Sequence, residues 1–516
     1  MLISEILEKT AQDTPQKPAV WFKGNWKTYE EINHAAGNIA AFLVNIGVQS
    51  GDRIAVLMEN SFDYISAHFG IHKAGCVEVS LNTELKEEEI NQLLRDCEAT
   101  VLIASQKLIR KREYIILDGL PDLKHLVMDQ NTSAISSEAE SVRIHQLSDI
   151  LQSDFAQVPA PGRIDIDLAA IVYTSGVTSK PKGVMLSHIN LVSNTKSIVQ
   201  YLGLIPDDRV MVVLPFYYIY GRSLLYSHFL SGGSLVLDNS FAYPASVLNT
   251  MQKLEITAFA GVPSTFAILL RKSDIKNRRF STLRLVTQAG GGMAPSLQKE
   301  VAEVFNPARL FIMYGSTEAA PRLTYVEPEM LSLKWGSIGR AIPNVEVIVA
   351  DNEGKRCPAG IKGEIAARGS NIMMGYWKDT EATAQVMRNG YYYTGDLGYA
   401  DEDGYIFLTG RSKDMIKTGG NRVSAKEIED AITEIPGVLE TAVIGVPDEI
   451  LGEAIKAFVV PGISTLTEDH LKEQLAHRLP AFKFPKWMEF RNNLPKNQSG
   501  KILKSVLREE PDKQRE

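Results

Sequence analysis

Cysteine is scarce in this 516-residue chain, which has three: Cys76, Cys97 and Cys357. Three thiols cannot build a disulfide framework or a four-cysteine zinc site, and they favour a reducing compartment. Basic residues are not in excess. Fifty-five Lys+Arg face 62 Asp+Glu, giving a formal net charge of −7. Proteins that neutralise many phosphates carry a basic domain, so the balance speaks against nucleic acid as the main partner. No apolar run reaches the length of a membrane-spanning helix, about 18 residues. The start, MLISEILEKTAQDTPQKP, lacks the basic-then-apolar pattern of a targeting signal, so a cytoplasmic protein is expected. Tandem repeats and low-complexity tracts are absent too. At 44% hydrophobic and 23% charged residues, the composition excludes a disordered chain, a coiled coil and a collagen-like repeat. The chain does contain 38 glycines and 23 prolines, enough for many loops, and a length suited to two or three domains.

Short apolar runs alternate with amphipathic stretches from Ile3 to about Ile150. Residues 30–46 place Ile32, Ala35, Ala36, Ile39, Phe42 and Leu43 near a 3.6 period, which predicts a helix ended by Gly47. Residues 53–58 and 100–104 read as buried strands, and 64–74 and 87–96 as helices. The alternation continues from Leu168 to about Ile342, with strands expected at 169–173, 210–214, 234–237 and 283–287. Strands alternating with helices predict parallel α/β layers. After Gly339 the texture becomes β-rich, with strands at 345–350 and 363–368 and a hairpin at 401–408. The last hundred residues read as a small α+β unit, with helices at 424–433 and 468–477 and strands at 441–446 and 455–460. A boundary is placed near Gly410-Arg411, and the polar stretch from Asn131 to Ser141 reads as a surface loop.

Several loops carry unusual chemistry. Tyr173-Thr-Ser-Gly-Val-Thr-Ser-Lys-Pro-Lys-Gly follows an apolar strand. It offers the hydroxyls of Thr174, Ser175, Thr178 and Ser179, the flexible Gly176 and Gly183, and the cations Lys180 and Lys182. Such a loop presents donors and charge to phosphate, although its spacing is not that of the GxxxxGK[ST] loop. Gln288-Ala-Gly-Gly-Gly-Met suits close approach of backbone to a flat ligand. Met313-Tyr-Gly-Ser-Thr-Glu offers a ring for stacking at Tyr314 and a hard oxygen for Mg²⁺ at Glu318. Tyr392-Tyr-Thr-Gly-Asp-Leu-Gly presents Asp396 as a bidentate acceptor for ribose hydroxyls. Arg411, Lys413, Lys417 and Arg422 surround Gly419-Gly420, and Lys501 leaves a Gly-hinged turn. Taken singly, most of these segments read more simply as ordinary features: a solvated turn between strand and helix at 173–183, a tight turn at 290–292, a helix first turn at Glu318, a turn aspartate at Asp396, a charged face at 411–422 and a basic tail around Lys501.

In this order, the segments resemble the adenylate-forming superfamily of acyl-CoA synthetases, aryl-CoA ligases, carrier-protein-loading adenylation domains and luciferases. The resemblance runs from about Leu7 to Lys504. It implies an α/β fold: a catalytic body over 1–410, with its β-rich part at about 340–410, and a small mobile α+β lid over 411–516. It implies ATP and AMP contacts at Thr174, Ser175, Gly176, Thr178, Lys182, Gly290, Gly291, Gly292, Tyr314, Gly315, Thr317, Asp396, Arg411 and Arg422. Glu318 is implied as the Mg²⁺ ligand and Lys413 as the hinge. Lys501 is implied to bridge the acyl carboxylate and the α-phosphate, with Lys182, Thr317 and Glu318 also catalytic. Tyr217, Tyr218, Tyr220, Gly261, Val262 and Ala319 fall in the acyl pocket, and Gly419 and Gly420 in the thiol channel.

The implied activity is adenylation of a carboxylic acid by ATP, followed by thioester formation with coenzyme A. Two departures from the family pattern stand out. The phosphate loop has Val177 and Ser179 where the family usually carries threonine and glycine, which points to lower ATP affinity. Tyr218 stands where many acyl- and aryl-CoA ligases carry His, and amino-acid-activating members usually carry Asp in this pocket. A neutral residue there leaves an α-ammonium unpaired, at a cost, so a fatty or aromatic acid is favoured over an amino acid. Transfer to the phosphopantetheine of a separate carrier protein, and a non-catalytic nucleotide-binding role, remain alternatives.

Overall fold

The computed structural model describes residues 1–110, 119–130, 142–153, 162–174, 181–462, 466–496 and 502–510. The Asn131–Ser141 stretch lies outside the described residues. An eight-stranded sheet runs from Arg143–Gln146 at one edge to Gly375–Tyr376 at the other. Its interior strands, including Arg53–Leu57, Val77–Ser80 and Ala99–Ala104, pair in parallel, as the strand–helix alternation predicts. The exception bears on the site. Leu168–Thr174 turns straight back into Lys182–Ser187, antiparallel, with Thr174 opposite Lys182. The segment between them therefore joins strand to strand, and the reading of a turn between strand and helix is corrected. The helix begins only at His188, where Ser187 caps it by accepting from Asn190 N at 3.3 Å.

The largest sheet has fourteen strands. One half is mostly parallel and contains Ser234–Leu237, Arg209–Val212, Ala258–Gly261, Leu285–Gln288 and Arg309–Tyr314. Antiparallel pairing then carries it through Thr324–Val326 and Ser337–Ala341 to Ile406–Arg411, Tyr391–Ala400, Gly363–Gly369 and Val345–Ala350. The β-rich stretch after Gly339 is thus hydrogen-bonded to the α/β body, with Ser337–Ala341 as the link. The helices Ile3–Asp13, Tyr29–Asn45, Phe62–Lys73 and Ile219–Ser231 supply much of the main core.

A third sheet has five strands, all beyond Asp414: Met415–Thr418, Asn421–Ser424, Val438–Asp448, Gly452–Pro461 and Trp487–Phe490. Ile428, Ile432, Leu471 and Leu475, from the helices Ala425–Thr433 and Glu468–Ala476, close a separate core against it. A three-residue helical turn, Ser412–Asp414, is all that lies between the last strand of the large sheet and the first strand of this one. Among the described residues no helix is long and apolar enough to cross a membrane.

Candidate active site

The strand Arg309–Tyr314 ends in the sequence Gly315-Ser-Thr-Glu-Ala, and the short helical turn Thr317–Ala319 follows. Gly315 is required by crowding: a methyl group there would overlap the carbonyl oxygen of Pro321. The turn presents Glu318, whose carbonyl accepts from Met373 N at 2.9 Å and whose Oε1 accepts from the Tyr376 hydroxyl at 2.9 Å. Burial and the adjacent Glu318 push the Tyr376 phenol up, so it stays protonated and donates. The face of the same ring carries Lys182, its Nζ 4.8 Å from the centroid. Gly375–Tyr376 reaches this position by pairing with Lys182–Ser187. One tyrosine therefore joins the lysine at the end of the hydroxyl-rich loop to the acid proposed for Mg²⁺.

On the other flank, the Tyr314 hydroxyl donates to Asp396 Oδ2 at 2.6 Å and Arg411 Nε donates to Asp396 Oδ1 at 2.6 Å. Asp396 and Arg411 are direct partners across adjacent strands. Burial and the Asp396 carboxylate hold the Tyr314 phenol well above its usual range. Each Asp396 oxygen keeps a second lone pair for a ligand hydroxyl. Tyr392 adds a hydroxyl contact to Ser316 at 3.2 Å.

Of the residues expected in the acyl pocket, Tyr220 and Val262 lie beside the triple-glycine turn. Gln288 Nε2 donates to Gly291 O at 2.9 Å and so holds the turn. Val262 Cγ1 and Tyr220 Cδ1 lie 3.0 and 3.9 Å from where a Cβ on Gly290 would sit. Gly292 faces the Lys426 side chain from the C-terminal part. The Tyr220 hydroxyl is turned to Thr287, donating to its carbonyl at 3.1 Å, and Arg322 lies over the ring at 4.1 Å. Tyr217 is buried and tilted against Tyr218, with ring centroids 4.8 Å apart. Gly261 ends the strand Ala258–Gly261. Ala319 is fully buried beside Leu323, Ile372 and Tyr392.

Gly419 and Gly420 form the tip of the hairpin between Met415–Thr418 and Asn421–Ser424, with φ of 53° and 82° that suit glycine. Thr174 closes its strand, with Oγ1 3.4 Å from Lys182 O. Ser175, Gly176, Val177, Thr178, Ser179, Lys180, Gly500 and Lys501 lie outside the described residues. For Lys413 and Arg422 only the backbone is described: Lys413 lies in the turn Ser412–Asp414 and Arg422 in the strand Asn421–Ser424.

Sequence reasoning missed Tyr376, although the Gly375-Tyr-Trp cluster was a readable aromatic signal. It also missed Asn60, Glu78, Arg222 and Arg322. Glu78 and Arg222 could have been noticed as charges inside otherwise apolar segments, Val77-Glu-Val and Gly221-Arg-Ser-Leu-Leu.

The donor set fits a hard cation. Glu318 Oε1 is held by Tyr376, and Oε2 accepts no hydrogen bond among the described residues.

Residues 7–377 match the AMP-binding enzyme family, and residues 427–501 match the AMP-binding enzyme C-terminal domain. The chain belongs to the AMP-binding enzyme family. A long-chain-fatty-acid–CoA ligase of Escherichia coli O6:H1 is 32% identical, over 98% of this chain and 94% of its own length. An anthranilate CoA ligase solved with anthranoyl-AMP superposes with a TM-score of 0.89 at 29% identity, covering 98% of this chain and 96% of that one. An o-succinylbenzoate coenzyme A synthetase from Bacillus subtilis, solved with ATP and a magnesium ion, has a TM-score of 0.83 at 27% identity, covering 96% and 98%. The expected fold and enzyme class are thereby established: this is an ATP-dependent, AMP-forming acid–thiol ligase of the acyl- and aryl-CoA ligase type.

Proposed function

We propose that the chain converts a carboxylic acid, with a fatty or aromatic acid favoured, to its acyl-adenylate and then to its coenzyme A thioester. The observation that carries this reading is the joining of Lys182, Tyr376 and Glu318 in one group and of Tyr314, Asp396 and Arg411 in another. Thr174, Lys182 and the donors of the intervening loop would neutralise the β- and γ-phosphates. Asp396, oriented by Tyr314 and Arg411, would accept from the ribose hydroxyls. Thr317 would meet the α-phosphate. Lys501 would offset the charge of two anions brought together. Glu318, steadied by Tyr376, would hold Mg²⁺, which when bound draws charge from the phosphates. The substrate carboxylate oxygen attacks the α-phosphorus and pyrophosphate leaves. A thiol then attacks the acyl carbon and AMP leaves.

In this reading the body is residues 1–410 and the lid residues 411–516. The lid turns at Lys413 between the two half-reactions and brings Gly419 and Gly420 to the thiol. The phenols of Tyr217, Tyr218 and Tyr220 give the pocket no charge to pair with an α-ammonium, which supports a fatty or aromatic acid over an amino acid. A pyrophosphate-release screen tests the substrate class with fatty acids of graded length, aryl acids and amino acids. Release with the first two groups, and thioester formation with free coenzyme A, is the expected result. Release confined to amino acids, or transfer only to a phosphopantetheinylated carrier protein, would overturn the proposal.

A further inference from the structure

Glu78 sits in the strand Val77–Ser80, which is paired on both sides within the eight-stranded sheet, and its side chain is fully buried. Its Oε2 meets Arg222 Nη1 at 3.2 Å and His68 Nδ1 at 2.7 Å. Its Oε1 accepts from Ser80 Oγ at 2.6 Å and from the Tyr64 hydroxyl at 3.2 Å. Burial opposes ionisation of Glu78, but Arg222 and His68 outweigh it and hold the carboxyl well below the usual range. One potential ligand atom each of His68, His72 and Glu78 lies within 4.8 Å of the others. A cation there would share Glu78 Oε2 with a guanidinium 3.2 Å away, so the cluster reads as an ion pair and not as a metal site.

Replacing a buried ion pair by apolar side chains is often neutral or stabilising, so stability alone does not account for this one. Its second set of contacts does. Arg222 Nε donates to Phe216 O at 3.2 Å. Asn60 grips the same stretch, accepting from Phe216 N at 2.8 Å and donating to Leu214 O at 2.9 Å. The backbone on both sides of Pro215 is thereby held, immediately before Tyr217, Tyr218 and Tyr220.

We infer that the Glu78–Arg222 pair is a positioning device for the acid substrate: it fixes the Phe216 carbonyl and so sets where the three tyrosines stand. This inference rests on the proposed assignment of residues 217–220 to the acyl pocket. Glu78 orients the guanidinium, the guanidinium holds the carbonyl, and neither residue needs to touch the acid. The nucleotide residues lie on other segments, so the effect falls on the acid and not on ATP.

The test uses the full-length enzyme, ATP–pyrophosphate exchange and the acid most active in the screen. Arg222→Met leaves the Glu78 charge without its guanidinium partner; it is expected to lower the melting temperature and to raise KM for the acid tenfold or more, with KM for ATP within twofold of the parent. The Glu78→Gln, Arg222→Met double variant removes the orphaned charge but not the loss at Phe216. Its melting temperature should recover while KM for the acid stays raised at least fivefold. Arg222→Lys keeps a charge without the Nε donor and gives the same reading if another variant fails to fold. A parent-like acid KM in any folded Arg222 variant, or parallel rises for acid and ATP, overturns the inference. Tyr218→Ala separates the two levels. An acid KM that shifts with Tyr218→Ala but not with the Arg222 variants refutes the positioning role and leaves the pocket standing. An acid KM that shifts with neither refutes the pocket assignment itself.

Discussion

Tyr314 and Asp396 sit on strands 82 residues apart in sequence, in the parallel and antiparallel parts of one sheet, and the phenol donates to the carboxylate at 2.6 Å. With Arg411 on the other oxygen, this fixes the plane in which Asp396 presents its remaining lone pairs. Asp396→Ala is therefore expected to raise KM for ATP by more than tenfold. Tyr314→Phe, which removes one hydrogen bond to a charged group, should raise it about tenfold. KM for the acid should move little in either. Initial rates of pyrophosphate release against ATP concentration check both.

Lys501 and Gly420 are assigned to opposite half-reactions. Lys501→Ala is expected to abolish acyl-adenylate formation while leaving thioester formation from supplied acyl-AMP. Gly420→Leu should impair thioester formation more than adenylation, because it places a branched side chain at a hairpin tip whose φ is 82°. Separate assays of the two steps decide. Survival of adenylation in Lys501→Ala, or equal losses in Gly420→Leu, would refute the respective assignment.

Tyr376 steadies Glu318 while its ring carries Lys182. Tyr376→Phe keeps the ring and removes the hydroxyl. The Mg²⁺ concentration for half-maximal rate should rise about tenfold, as for other losses of a ligand's supporting hydrogen bond. Titrating Mg²⁺ at saturating ATP measures this, and an unchanged midpoint would show that the hydroxyl does not orient the ligand.

His228 gives a pH signature of stability. It is buried at 2% exposure, and burial drives its pKa down to about 4, although its contact with the Leu224 carbonyl pulls the other way. The folded state keeps the ring neutral, while the unfolded chain protonates it below about 6.5. Stability is therefore full above that value and falls as pH drops from about 6.5 toward 4, by about 3 kcal/mol in total from this group. In His228→Asn the stability should fall less steeply across that window, by about 1.4 kcal/mol per pH unit. Denaturant titrations at pH 7, 6 and 5 on both proteins compare the slopes.

The local features were legible from residue order. The period in residues 30–46 gave the helix Tyr29–Asn45, and the apolar runs gave strands within a residue or two of Arg53–Leu57 and Ser234–Leu237. The Gly-rich and hydroxyl-rich turns stood out because few residue types tolerate such backbones or offer such donors. What could not be read was pairing at a distance. Ser337–Ala341 joins the β-rich stretch to the body by bonding to Ile406–Arg411, almost seventy residues later, and nothing in either strand's alternation names its partner. The Glu78–Arg222 pair spans a still longer gap. Each member looks locally like a misplaced charge, and only the fold shows that each excuses the other. Tyr376 was overlooked for the same reason: its role comes from two contacts supplied by separate segments, Lys182 and Glu318.

Arg411 is both the last residue of the large sheet and a clamp on Asp396, and the turn Ser412–Asp414 follows it directly. A body swinging about that turn behaves as a door hung beside its own lock. In the proposed lid movement, points near the turn would travel least, so the ribose end of a bound nucleotide would keep its registration, whereas the helices Ala425–Thr433 and Glu468–Ala476, further along the chain, would sweep a larger arc.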